Sequence, residues 1–192
     1  GKVYVGGEFE RVGGTARNQI AAVAEATGSV TAWDPAADNA VKALVVAGNA
    51  VYAAGFFENI GRSPRRYVAA LDAATGNATA WNPSADSGVT ALALGEGVVF
   101  AGGQFTRIGG QSRGRIAALA MSGNGAATGW NPNANGVVNV LAVSGGTVYA
   151  GGQFSMIGAQ GRNRLAAFDV GTGRVTAWNP GELQDMALPP CH

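Results

Sequence analysis

The sequence predicts an all-β repeat fold, and three observations lead there. Trp33, Trp81, Trp130 and Trp178 are the only tryptophans, and they stand 48, 49 and 48 residues apart. Each lies in the same frame: T-A-W-D-P, T-A-W-N-P, T-G-W-N-P and T-A-W-N-P. Between them run short β-branched and aromatic stretches punctuated by Gly, Asn and Pro, the pattern of strands joined by hairpins. No window carries apolar residues at helical spacing over three turns. A period this long marks stacked units, because one unit cannot bury its own faces.

In the third copy, extended stretches are predicted at 89–94, 98–105, 115–120 and 126–130. The turn signals G-E-G, I-G-G-Q-S-R-G and S-G-N-G separate them, and N-P ends the last. The second stretch opens at Val3, Val51, Val99 and Val148, each followed by an aromatic: Tyr4, Tyr52, Phe100 and Tyr149. Glycines within it (Gly6-Gly7, Gly55, Gly102-Gly103, Gly151-Gly152) weaken a strand unless other backbone must come close, as where inner strands converge. The one extra residue of the third copy falls in M-S-G-N-G, at a hairpin tip, where insertion leaves strand register intact.

Four strands in a repeat of about 40–50 residues is the plan of a propeller blade. The predicted fold is therefore an all-β β-propeller of four-stranded blades. One domain spans 1–192, with repeats at about 1–46, 47–94, 95–143 and 144–180. The first copy begins at its second strand, and the tail 181–192 occupies the place of a next first strand. A ring of four blades closed by that tail removes both sheet edges. The tail offers only Met186, Ala187 and Leu188 before Pro189-Pro190. Part of a larger propeller, and a half-ring that pairs with another chain, remain the alternatives.

Apolar residues make up 47% and charged residues 13%, against about 25% charged in ordinary soluble chains. Such a surface leaves room for a contact face. A net charge of +1 gives no long-range attraction to nucleic acid, and no apolar run approaches the roughly 18 residues that span a bilayer. Cys191 is the only cysteine, so no internal disulfide forms. The chain opens on Gly1 and not on Met, which suggests processing or an excerpt of a longer chain; a removed secretory signal would account for it.

The run V-Y-A-G-G-Q-F-S-M-I-G-A-Q-G-R-N-R-L-A-A-F-D at 148–169 resembles the delta-sixty type of bacterial β-propeller repeat. The stretch A-L-D-A-A-T-G-N-A-T-A-W at 70–81 looks like the blade signature of quinoprotein-like propellers, where a tryptophan docks against the neighbouring blade. The resemblance covers positions 1 to 180. It implies a propeller in an extracytoplasmic setting: periplasmic, cell-surface or secreted. Each tryptophan here falls one residue later than in the quinoprotein pattern, and the third copy has Ala120 and Asn124 where the turn otherwise carries Asp and Thr.

Arg17, Arg65, Arg113 and Arg162 recur at the repeat period, eight residues after Phe9, Phe57, Phe105 and Phe154. A ring of guanidiniums suits an anion or a carboxylate-bearing partner. The plainer reading has each arginine bonding loop carbonyls or stacking on an aromatic, tying one blade to the next, and residues present in every repeat usually serve the repeat. The four tryptophans invite a sugar-stacking reading, but their place at a strand end favours blade packing. Asp72 and Asp169 open the T-G turn, where an Asp side chain bonds backbone amides. Glu8 with Glu10, or Asp38 with Asp86, are candidates to meet near a rim, though nothing places them at a catalytic separation. No calcium-loop run, phosphate loop or nucleophile elbow occurs. His192 is the only histidine, too few for a triad, and P-P-C-H lacks the first cysteine of a haem-attachment motif, having Leu188.

No catalytic residue, metal site or cofactor is expected. The expected function is a protein-interaction or scaffold propeller with other protein subunits as partners. It would present the loops 13–17, 61–66, 109–115 and 158–164 on one face. A multivalent carbohydrate-binding propeller comes second, and an enzyme of the quinoprotein or lyase type third.

Overall fold

The computed structural model describes residues 1–95 and 97–181. The expected ring-closing segment beyond Gly181, with Cys191 and His192, lies outside the described residues.

The first repeat contains β1 (Lys2–Gly6), β2 (Arg11–Val12), β3 (Thr15–Ala16) and β4 (Ile20–Ala24). The second contains β5 (Val41–Ala47), β6 (Ala50–Gly55), β7 (Asn59–Ile60), β8 (Ser63–Pro64) and β9 (Val68–Asp72). The third has β10 (Val89–Gly95), β11 (Val98–Gly103), β12 (Arg107–Ile108), β13 (Gln111–Ser112) and β14 (Ile116–Ala120). The fourth has β15 (Val138–Ser144), β16 (Thr147–Gly152), β17 (Met156–Ile157), β18 (Gln160–Gly161) and β19 (Leu165–Asp169). All pairings are antiparallel, and the described residues contain no helix.

Repeats two to four each build a three-stranded sheet with the glycine-bearing strand in the middle, in the orders β5-β6-β9, β10-β11-β14 and β15-β16-β19. The first repeat pairs β1 with β4 alone. The fourth predicted strand is not a strand. The chain touches the sheet there by one bridge per repeat: Val23 to Val30, Leu71 to Ala78, Leu119 to Ala127 and Phe168 to Val175. It then leaves the sheet edge because the tryptophan that follows is needed on the next sheet and the proline offers no N–H for a ladder. The long turn predicted after the second strand holds the opposite surprise, a small two-stranded ribbon in every repeat: β2-β3, β7-β8, β12-β13 and β17-β18.

Strand alternation gives each sheet two apolar faces. In the second repeat Val51, Ala53, Ala69 and Leu71 face back and pack with Ile20, Ala22 and Trp33. Tyr52, Ala54, Val68 and Ala70 face forward, against Val99, Ala101, Phe105 and Leu119. The third and fourth repeats meet in the same way through Phe100, Ile116 and Ala118 against Val148, Ala150 and Phe168. The core is thus three layers, each shared between successive repeats.

The first strands lie side by side, β10 between β5 and β15. Alanine and glycine make that approach possible. A Cβ on Gly102 would lie 2.8 Å from Val138 Cγ1, and one on Gly6 2.7 Å from Val41 Cγ1. Gly103 sits beside the bulge between Val89 and Ala91, where a Cβ would come within 2.9 Å of the Val89 α-carbon.

This layering predicts unequal roles for chemically identical residues. Trp81→Ala, in a shared layer, should cost about 3–5 kcal/mol. Trp178→Ala, at the open end, should change the stability of the monomer by less than about 1 kcal/mol. Urea denaturation of both variants measures the contrast; equal losses would show that the tryptophans stabilise their own repeat only.

Candidate functional site

The ribbons are the exposed, repeated features of the molecule, and their geometry begins with a two-residue turn. Both central residues have positive φ in every copy: Gly13-Gly14 (53° and 79°), Gly61-Arg62 (61° and 61°), Gly109-Gly110 (59° and 77°) and Gly158-Ala159 (60° and 59°). This is the type I′ turn that matches strand twist. Arg62 and Ala159 adopt it with a Cβ present, at a cost of about 1–2 kcal/mol each.

One set of hydrogen bonds holds all four ribbons, and two more hold the second, third and fourth. The first is the recurring arginine. Arg17, Arg65, Arg113 and Arg162 donate from Nη2 to the carbonyls of Thr31, Thr79, Thr128 and Thr176, at 2.6, 2.6, 2.6 and 3.1 Å. Their Nη1 groups donate to the carbonyls of Ala16, Pro64, Ser112 and Gly161, at 2.7 to 2.9 Å. The fork clips the ribbon to the segment that leads into the tryptophan of the same repeat. Arg17 also lies 3.8 Å from the Asp34 carboxylate.

The second and third sets come from the linker that crosses between repeats. The carbonyls of Pro35, Pro83 and Pro132 accept from the turn amides of Gly61, Gly109 and Gly158, at 2.8, 2.8 and 2.6 Å. Three residues further on, an Asp or Asn caps the next ribbon. Asp38 accepts from the amide of Glu58 at 2.9 Å and from Asn59 Nδ2 at 2.7 Å. Asp86 accepts from the amides of Thr106 and Arg107 at 2.8 and 3.0 Å, and from the Thr106 hydroxyl at 2.6 Å. Asn135 repeats the pattern on the amides of Ser155 and Met156, both at 3.0 Å, and its Nδ2 donates to the Ser155 hydroxyl at 2.9 Å. Asp38 and Asp86 therefore serve successive ribbons and do not meet.

Burial pushes the Asp86 carboxyl up, but the Thr106 hydroxyl and the amides of Arg107 and Thr106 outweigh it and hold the group below the ordinary 3.8. Asp38 is lowered in the same way, with burial opposed by Asn59 and the amide of Glu58. At the T-G turns, Asp72 accepts from the Thr75 hydroxyl at 2.8 Å and amide at 2.7 Å, and Asp169 from the equivalent groups of Thr172 at 2.6 and 2.7 Å. Those bonds lower both carboxyls.

The tryptophans cross the boundary as well. Trp33 donates from Nε1 to the carbonyl of Asp72 at 3.0 Å, Trp81 to Ala120 at 2.8 Å and Trp130 to Asp169 at 3.1 Å. Each ring meets the aromatic of its own repeat edge-on, Tyr4, Tyr52 and Phe100, at 4.9 to 5.0 Å between centroids. Trp178 has the same contact with Tyr149 at 5.5 Å, and its ring is exposed.

Between linker, ribbon and following T-G turn lies a groove, formed at equivalent positions at two junctions. One, of about 450 Å³, is lined by Asn82, Asp86, Arg107, Gly110 and Asn124. The other, of about 770 Å³, is lined by Asn131, Asn135, Met156, Gln160 and Arg174. At the first junction Arg62 stands where the others have Gly110 and Ala159, and its Nη1 donates to Asn77 Oδ1 at 2.6 Å, bridging ribbon and turn. Among the described residues, no group of three or more His, Cys, Asp or Glu is arranged to hold a metal ion.

The chain matches no family model and no curated protein. It is similar in part to crystal structures of two computationally designed proteins. The Ika8 protein aligns over 81% of this chain and 41% of its own, with 17% identity and a TM-score of 0.48. The Ika4 protein aligns over 76% of this chain and 75% of its own, with 19% identity and a TM-score of 0.44. This chain therefore spans less than half the length of Ika8.

The recurring arginines and tryptophans are visible in the sequence; Asp38 and Asp86 stand out there only as a pair that could meet, and Asn135 not at all. The signal of these caps is P-x-A-D/N, at 35–38, 83–86 and 132–135. A depressed folded pKa contributes stability above the unfolded value and loses it as pH falls through the folded one. The melting temperature should therefore hold from neutrality to about pH 5 and drop below it. Asp86→Asn keeps the acceptor for both amides, as Asn135 does, and removes one ionisable cap, so its melting temperature should fall less steeply in acid. Parallel acid limbs for wild type and variant would mean the cap contributes no pH dependence.

Proposed function

We propose that the chain is part of a β-propeller of the delta-sixty repeat type, acting as a non-catalytic interaction or scaffold module of a larger extracytoplasmic assembly. The observation that carries this reading is where the chemically capable side chains go. The four arginines donate to main-chain carbonyls, the linker and turn carboxylates accept main-chain amides, and three of the four tryptophans are buried between repeats. These bonds hold the ribbons rigidly while residues such as Arg107, Gln111, Met156 and Gln160 remain exposed. A rigid, repeated, weakly charged edge suits a protein partner, because little side-chain or loop entropy is lost on docking.

The test is isolation of the native assembly followed by charge reversal on the ribbons. Arg107→Glu and Met156→Glu alter exposed side chains and leave the backbone caps in place. Combined, they should weaken capture of co-purifying subunits by about tenfold or more at an unchanged melting temperature. Undiminished capture would remove the ribbons as the docking edge.

A second reading draws on the two equivalent grooves, whose Asn and Gln side chains are suited to sugar hydroxyls. Repeated shallow sites gain strength on polyvalent ligands. Binding on a glycan array that disappears in Asn131→Ala and Asn82→Ala variants supports carbohydrate as the ligand; an array without hits removes it.

A further inference from the structure

The two ends of the repeat stack carry the two halves of one interface. Inside the molecule that interface is built three times, and in each case a forward face meets a backward face. On the backward side, Val51, Val99 and Val148 are 0% exposed, while their counterpart Val3 is 48% exposed. The glycine of the T-G turn follows suit. A Cβ on Gly76 would lie 3.3 Å from Pro35, one on Gly125 2.8 Å from Trp81 and one on Gly173 3.1 Å from Trp130. At Gly28, the same position of the first repeat, nothing lies within 4 Å. On the forward side, Trp33, Trp81 and Trp130 are 2–4% exposed and Trp178 is 43%. Val140 and Tyr149 are exposed beside it, where Ala91 and Phe100 are buried one repeat earlier.

We propose that the chain associates head to tail with a second copy of itself, the forward face of the fourth repeat docking on the backward face of the first. The internal junctions specify the contacts. The carbonyls that accept the three buried indoles belong to Asp72, Ala120 and Asp169, and the first repeat offers Ala24 at that position. Trp178 Nε1 donates to Ala24 of the second copy, its ring covers Gly28, and Pro180 stands over the Gly13-Gly14 turn as Pro35, Pro83 and Pro132 stand over theirs. Among the described residues, neither face is covered within one molecule. A second copy carries both matching halves, which no other partner is guaranteed to do. Such a heterologous contact either closes into a ring or runs on as a filament. The inference concerns the sheet ends and stands apart from the ribbons as a docking edge.

The full chain, examined by native mass spectrometry and light scattering over a range of concentrations, tests this. Wild type should show multiples of 19.2 kDa. Val3→Glu blocks the backward face and Trp178→Ala the forward face; each should be a folded monomer by circular dichroism. Tyr149→Glu substitutes for Trp178→Ala should that variant unfold. Mixing the two blocked variants should restore a one-to-one dimer, because each retains the face the other lost. Arg107→Glu should leave association intact, which separates this inference from the proposed ribbon function. A wild type that stays monomeric, variants that still assemble, or blocked variants that do not pair would each overturn it.

Discussion

The indole of each internal tryptophan spans the boundary between two repeats, its ring edge-on against an aromatic of its own sheet and its N–H on a main-chain carbonyl of the next. This contact joins burial of a large apolar surface to a directional bond, so it sets both the spacing and the rotation of successive sheets. Burial alone is non-directional and would let the sheets slide. The bond also explains why the Thr-x-Trp segment departs from its sheet after one bridge: completing a fourth strand would keep the tryptophan from the carbonyl it reaches.

Small residues complete that arrangement. The strands that meet near the first strands are rich in Ala, Gly and Val, and the turn glycine of one repeat lies under the Trp-Asn-Pro frame of the one before. The main sheet of each repeat is only two or three strands wide and apolar on both faces, so no repeat has a core of its own. Stability is then a property of junctions. Among the described residues an end repeat lacks one junction and leaves apolar side chains exposed, Val3 at one end and Val140, Tyr149 and Trp178 at the other, which is the physical ground for expecting something to cover them.

Polar groups are arranged to the same end. The guanidinium fork of each recurring arginine satisfies two carbonyls that a plain hairpin would leave to water, and the linker Asp or Asn satisfies two amides of the following ribbon in two of three cases. The arginine ties a ribbon to its own repeat and the linker cap ties it to the previous one. A ribbon of two residue pairs is too small to be stable alone; the arginine clip holds all four, and the linker gives the last three a second attachment.

Periodicity, strand content and turn chemistry by themselves determined that the chain is an all-β stack of four similar units, because these are local properties repeated often enough to be read. They also located the glycine-bearing strand of each sheet and the hairpin tip that takes the extra residue. The targets of the recurring side chains were decided only by the tertiary structure. A guanidinium at a fixed spacing has the same sequence signature whether it faces solvent, an anion or a carbonyl. The ribbons hid inside a segment that reads as a turn, since two residue pairs give no alternation to detect. The capping role of the linker residues hid because Asp, Asp and Asn share a geometry and not a letter. Which of four identical tryptophans is buried was likewise beyond the local frame, because burial depends on whether another sheet lies beyond it.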